Sequence, residues 1–214
     1  MVKYLLIGIS LKDKKQILEI RNNIGIVFQN PENQIIFDRV YDDLKFGLQN
    51  LGLSNEEANK NIDYALKSVD MLEYKNSNSS ELSLGQKQRI AIASILAIKP
   101  KVLILDEPTT MLDPISKNQI YNILQKLKQT GITIIFVTNF IDEILLCDRT
   151  IIFENGKIKK DFLKKDLLEN LDFLDSLEFP GIVSLLASLH KAGIDINLEN
   201  LKTEELARKI LEKR

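Results

Sequence analysis

LSLGQKQRIAIASILAIKPKVLILDEPTTMLD, residues 82–113, reads as a turn, a helix, a strand and a second turn, in that order. Ser83 stands where a helix N-cap is expected. Ile90 to Ile98 is apolar except for Ser94, which predicts a largely buried helix ending before Pro100. Lys101 to Leu105 is the clearest buried strand in the chain, and it delivers Asp106-Glu107 at its carboxyl end. Open α/β sheets bind their ligands there, so two carboxylates at that place suggest chemistry, although an acidic turn that only caps a helix would look similar. Asp113-Pro114 then reads as an N-cap and N1 pair, opening a helix through about Gln129 with Gly131 at C′.

Upstream, Ile24 to Phe28 is a short buried strand that stops at Gln29-Asn30-Pro31, because Pro31 blocks continuation. Ser54 and Glu57 have capping-box spacing, with Ala58, Ile62, Ala65, Val69 and Leu72 following at helical intervals. Tyr74 to Ser80 is a polar loop. Downstream, Ile132 to Thr138 is a further strand, and Asn155-Gly156 marks a two-residue hairpin turn within Ile151 to Lys160. After Asp161 the pattern is helical, with breaks at Pro180-Gly181 and Gly193, and the opening run through Ile9 reads as strand. Strands alternating with helices predict an α/β fold with a mostly parallel sheet.

Lys plus Arg number 29 against 30 Asp plus Glu, with no long block of one sign, so no nucleic-acid partner is expected. Cys147 is the single cysteine, which excludes an internal disulfide and fits a reducing compartment. No apolar run approaches the roughly 20 residues of a membrane span, so membrane association is expected through a partner. His190, the only histidine, is expected on a helix surface rather than in a catalytic role.

Taken together, Gln29, Leu82 to Gln86, Ile104 to Pro108, Leu112-Asp113 and Val137-Thr138-Asn139 resemble the ABC ATPase family. Val27 through Gln34 is similar to the Q-loop of its energy-coupling factor branch, the cobalt and vitamin importers. The tail from Phe179-Pro180 through Ala192-Gly193-Ile194-Asp195 to Leu206 resembles that branch's carboxy-terminal extension. The resemblance implies a truncated P-loop NTPase sheet with a helical subdomain at about 35–98, within an ATPase domain over 1–160. A small helical extension over 161–214 would serve dimerisation. ATP and Mg²⁺ are the implied cofactors. By resemblance Asp106 and Gln29 contact Mg²⁺, Glu107 polarises the attacking water, and Asn139 occupies the switch position. Ser83, Leu84, Gly85, Gln86 and Asp113 would face a nucleotide held by a second ABC ATPase subunit, in a homo- or heterodimer. A transmembrane transporter subunit would dock on the Q-loop side and hold the chain at the cytoplasmic face of the membrane. The implied function is coupling of ATP hydrolysis to uptake of a vitamin or transition metal ion.

Three departures bear on activity. The 214 residues contain no Gly-rich loop ending in Gly-Lys-Ser/Thr, the family's Walker A; Gly47 and Gly52 have its spacing, but Leu53-Ser54 follows and the place is wrong. Three lost charge-assisted hydrogen bonds to phosphate, at about 1.5–3 kcal/mol each, weaken binding by roughly three to six orders of magnitude. The chain alone is therefore expected not to hold ATP, and its sheet to expose an apolar patch. Asn139 replaces the family's His and cannot carry positive charge. Leu84 replaces the first signature Gly, a cost if that backbone needs φ > 0 or close phosphate approach. These departures leave a second reading, a non-catalytic degenerate scaffold or truncated gene product.

Overall fold

The computed structural model describes residues 5–6, 9–10, 22–49, 51–177, 181–194, 196, 208 and 211. It divides into two compact units, Met1–Thr138 and Asn139–Arg214. The first is built on a three-stranded parallel sheet in the order β3 (Ile24–Val27), β4 (Val102–Asp106), β5 (Thr133–Val137). The register pairs Gly25 with Leu103 and Ile134, and Ile26 with Ile104 and Ile135. Side chains alternate between faces, so Val27 and Leu105 are buried on one side while Ile26 and Ile135 are exposed on the other. The strand pattern expected from the sequence is present, with the opening run differing. It forms two short strands, β1 (Leu5–Leu6) and β2 (Ile9–Ser10), paired antiparallel.

Between β3 and β4 lie three helices, α1 (Val40–Gln49), α2 (Asn55–Ser68) and α3 (Leu84–Ala97). α2 begins with the Ser54/Glu57 capping box and buries Ala58, Ile62, Ala65 and Leu66. α1 buries Val40, Leu44 and Leu48, one residue per turn, and contains Gly47, so the Gly47 and Gly52 pair forms no phosphate loop. α3 buries Ile90, Ala91, Ile92, Ala93 and Leu96, and lies against the sheet so closely that a Cβ on Gly25 would overlap Ile95. α4 (Pro114–Lys128) packs Ile120, Ile123, Leu124 and Leu127 into the same core. Its C-cap is Gln129, so Gly131, φ +86°, sits one residue beyond the expected C′ position.

The second unit opens with a 3₁₀ segment, Ile141–Leu146, followed by the antiparallel hairpin β6 (Arg149–Glu154) and β7 (Lys157–Leu163). Its turn residues Asn155 and Gly156 both have positive φ, 51° and 74°, as the two-residue turn requires. β7 extends past Asp161, where the sequence pattern suggested helix, because Asp161 is engaged by Arg149 across the ladder at 2.8 and 2.6 Å. Two short 3₁₀ turns then lead to α5 (Leu171–Asp175) and α6 (Ile182–Lys191), whose apolar faces share a core with Phe162 and Leu167. Lys191 clamps them through Asp172 and Asp175. Val183 N–H at the start of α6 donates to Asp142 at 3.2 Å. His190 is exposed on α6, as expected. Phe179, Pro180, Asp195 and Leu206 lie outside the described residues.

Candidate functional site

β3 and β4 run parallel, so their carboxyl ends bring Gln29 and the Asp106-Glu107 pair to the same edge of the sheet. The Gln29 amide Nε2 donates to Glu107 Oε2 at 3.2 Å, joining residues 78 apart in sequence. Thr110 Oγ1 donates to the same oxygen at 3.2 Å. Two donors from different elements therefore orient the Glu107 carboxylate. The Thr110 contact was not read from the sequence, although its place three residues after Glu107 in a tight turn could have suggested it.

The backbone around Glu107 is unusual. Its φ is +47°, in the left-handed region that a residue with a Cβ seldom occupies. Its N–H donates to Val137 O at 2.9 Å, which ties the turn to the end of β5. Asp106 is the last residue of β4 and pairs in register with Val137, so it points to the face away from α3 and α4 and is exposed.

Mg²⁺ prefers oxygen donors and keeps several positions for water and phosphate. Asp106 offers a carboxylate, and Gln29 offers an amide oxygen while its nitrogen is engaged with Glu107. Among the described residues no group of three or more His, Cys, Asp or Glu could hold a metal ion.

The signature turn folds as a helix start. Ser83 is the N-cap of α3, its hydroxyl accepting from Gln86 N–H at 3.3 Å while Gln86 Oε1 accepts from Ser83 N–H at 2.8 Å. Leu84 is the first helical residue and is absent from the positive-φ positions, so the part of the expected cost that depends on φ > 0 does not arise. Gly85 is buried, and a Cβ there would strike the Ser116 hydroxyl and come within 2.8 Å of the Ser116 Cβ. The start of α3 thus rests on the first turn of α4.

Asp113 caps α4, accepting from Ile115 N–H at 2.9 Å, Ser116 N–H at 3.0 Å and Ser116 Oγ at 2.6 Å. The Ser116 hydroxyl, followed by its backbone N–H, holds the Asp113 carboxyl below the usual aspartate range. Ser116 was missed in the sequence; only its place at N3 of a helix with an Asp cap signals the role. Asn139 lies two residues beyond β5, is exposed, and opens the second unit.

Residues 4–110 match the family described as ABC transporter. The energy-coupling factor transporter ATP-binding protein EcfA1 of Caldanaerobacter subterraneus subsp. tengcongensis is 44% identical over 198 residues, covering 91% of this chain and 72% of the relative. The protein of the same name from Clostridium novyi is 39% identical over 202 residues, covering 93% and 72%. Among solved structures, cbiO1 from Clostridium perfringens, part of the ABC transporter complex cbiONQ, superposes with a TM-score of 0.70 at 36% identity, covering 86% of this chain and 75% of that one. A dimeric ATP-binding cassette in a post-hydrolysis state, bound to ADP and Pi, gives 0.64 at 29% identity over 74% and 72%.

Proposed function

Because the chain belongs to the ABC transporter ATPase family, in the branch of energy-coupling factor ATP-binding subunits, we propose that it works as one half of an ATPase dimer. The observation that carries this reading is the Gln29 to Glu107 hydrogen bond at 3.2 Å, at the carboxyl ends of two parallel strands. In this reading Asp106 and Gln29 hold Mg²⁺, which when bound neutralises charge on the transferring phosphate. Glu107, aimed by Gln29 and Thr110, accepts a proton from the attacking water. Asn139 at the switch position supplies a neutral hydrogen bond in place of a charge.

The start of α3 works on the other half-site. The Ser83 hydroxyl, the Leu84 and Gly85 backbone N–H groups and the positive helix end that Gln86 helps to cap face the nucleotide of the second subunit. Asp113 reaches the same interface. ABC domain 1–160, with its helical subdomain at about 35–98, docks a transmembrane subunit at the cytoplasmic face of the membrane, and segment 161–214 supports pairing of the two ATPases. The transported cargo is a vitamin or a transition metal ion. No helix among the described residues is long and apolar enough to cross a membrane.

A polypeptide of these 214 residues contains no phosphate loop. It is expected to show no measurable Mg-ATP binding by calorimetry and to support hydrolysis when co-purified with a Walker A-bearing subunit. Ser83→Ala should lower turnover of that assembly, because the nucleotide gripped by the Walker A-bearing subunit faces the Ser83 turn, whereas Glu107→Gln, in the half-site without a phosphate loop, should leave most of it intact. Tight Mg-ATP binding by the polypeptide alone would overturn the division of labour, and full activity of Ser83→Ala would favour a scaffold.

A further inference from the structure

Gln88 is a completely buried amide in the second turn of α3. Its Nε2 donates to the backbone oxygen of Phe28 at 3.3 Å, and its Oε1 is buried without a partner among the described residues. An unpaired acceptor in a core is unfavourable, and an apolar side chain of the same volume would pack there without that cost. The compensation lies in what the amide holds. The Phe28 carbonyl belongs to the peptide unit that leads into Gln29, so fixing it fixes the plane from which the Gln29 side chain departs.

The same face of α3 grips the rest of the loop. Phe28 N–H donates to Gln34 Oε1 at 3.1 Å, and Gln34 Nε2 donates to Ala91 O, one turn after Gln88, at 3.1 Å. Lys87 pairs with Glu32 at 2.5 Å. One turn further, Ser94 Oγ donates to Asp43, whose other oxygen accepts from Ile36 and Phe37 N–H at 2.8 and 3.2 Å. Positions 87, 88, 91 and 94 are neighbours on one helical surface.

We propose that Gln88 is the positioning residue for Gln29, and that α3 thereby links the Gln29 and Glu107 pair to the Ser83 to Gly85 turn at its own start. Two adjoining turns at the start of one helix would then serve two half-sites, so that displacement of the Ser83 to Gly85 turn is felt at Gln29. The proposal rests on the dimeric reading above for its functional consequence, but its structural claim stands on the loop contacts alone.

Hydrogen exchange resolved by mass spectrometry tests it on the full 214-residue chain, with Gln88→Met and Gln34→Ala as variants. Methionine fills the glutamine volume and needs no partner, so Gln88→Met should melt at or above the wild-type temperature. It should also speed exchange across residues 28–37 by about tenfold, while β4 and α4 amides keep their rates. Gln34→Ala should loosen the same segment. The NMR resonances of the Gln29 side-chain amide, which donates to Glu107 at 3.2 Å, should shift in Gln88→Met, the mark of a misplaced side chain that a merely structural role would not produce. Unchanged exchange at 28–37 in both variants overturns the proposal, and so does a loosened loop with an unshifted Gln29 side-chain amide. If the wild-type assembly hydrolyses no ATP, the functional reading fails, and the exchange comparison still decides whether Gln88 positions Gln29.

Discussion

Ser116 shows how one side chain can serve two turns. Its hydroxyl and backbone N–H both reach Asp113, and its Cβ side abuts Gly85. Because the folded Asp113 carboxyl titrates below its ordinary value, this contact stabilises the fold above the unfolded aspartate pKa of about 3.9. That contribution is lost as pH falls through the lowered folded value. Ser116→Ala removes the first cause of the shift. The Asp113 carboxyl should then titrate closer to its ordinary value by NMR, and the stability difference from wild type should be present at neutral pH and vanish in strong acid. Glu107 illustrates the limit of reading residues from sequence. Its acidic pair at a strand end was legible, whereas its left-handed backbone follows from the bond to Val137 O, a partner set by sheet register. Strain of this kind costs on the order of 1–3 kcal/mol and clusters where geometry matters more than stability.

Elements whose signals are local were the most legible. The Ser54 and Ser83 caps, the Asp113-Pro114 helix start and the Asn155-Gly156 turn all follow from neighbours within a few residues. The hairpin carries a testable cost. Gly156→Val places a β-branched side chain at φ +74°, which should destabilise the hairpin by about 1–2 kcal/mol. Faster amide exchange in β6 and β7, with unchanged exchange in β3 to β5, is the expected signature. What the local pattern could not supply was the end of β7. Helical periodicity after Asp161 was overridden by the bidentate Arg149 to Asp161 pair across the ladder, and the irregularity at Ile152 and Phe153 has no composition signal. The grip of α3 on the loop after β3 was equally hidden, because Gln34 and Gln88 look like ordinary polar residues until the helix lies beside the strand end.

Among the described residues, the apolar cover of the central sheet is one-sided. Ile26 and Ile135, cross-strand neighbours of Ile104, remain 44% and 45% exposed, and Val137 46%. The missing phosphate loop made such a patch an expectation from sequence, and the strand alternation shows which residues form it. Replacing Ile26 and Ile135 together by Thr should lower binding of a hydrophobic dye and reduce light scattering at matched concentration, with the melting temperature little changed. An unaltered dye signal would mean that the patch lies elsewhere. The contact between Gly85 and Ser116 has a different reach. A methyl group at residue 85 collides with two side-chain atoms of Ser116, yet the Ser116 Cα stands 3.9 Å away, at ordinary contact distance. Gly85→Ala should therefore be damaging alone and tolerated once Ser116→Gly is in place, a coupling that a double-mutant cycle would read directly. Mutational change at these two positions can proceed in one order only: the serine must yield before the glycine can.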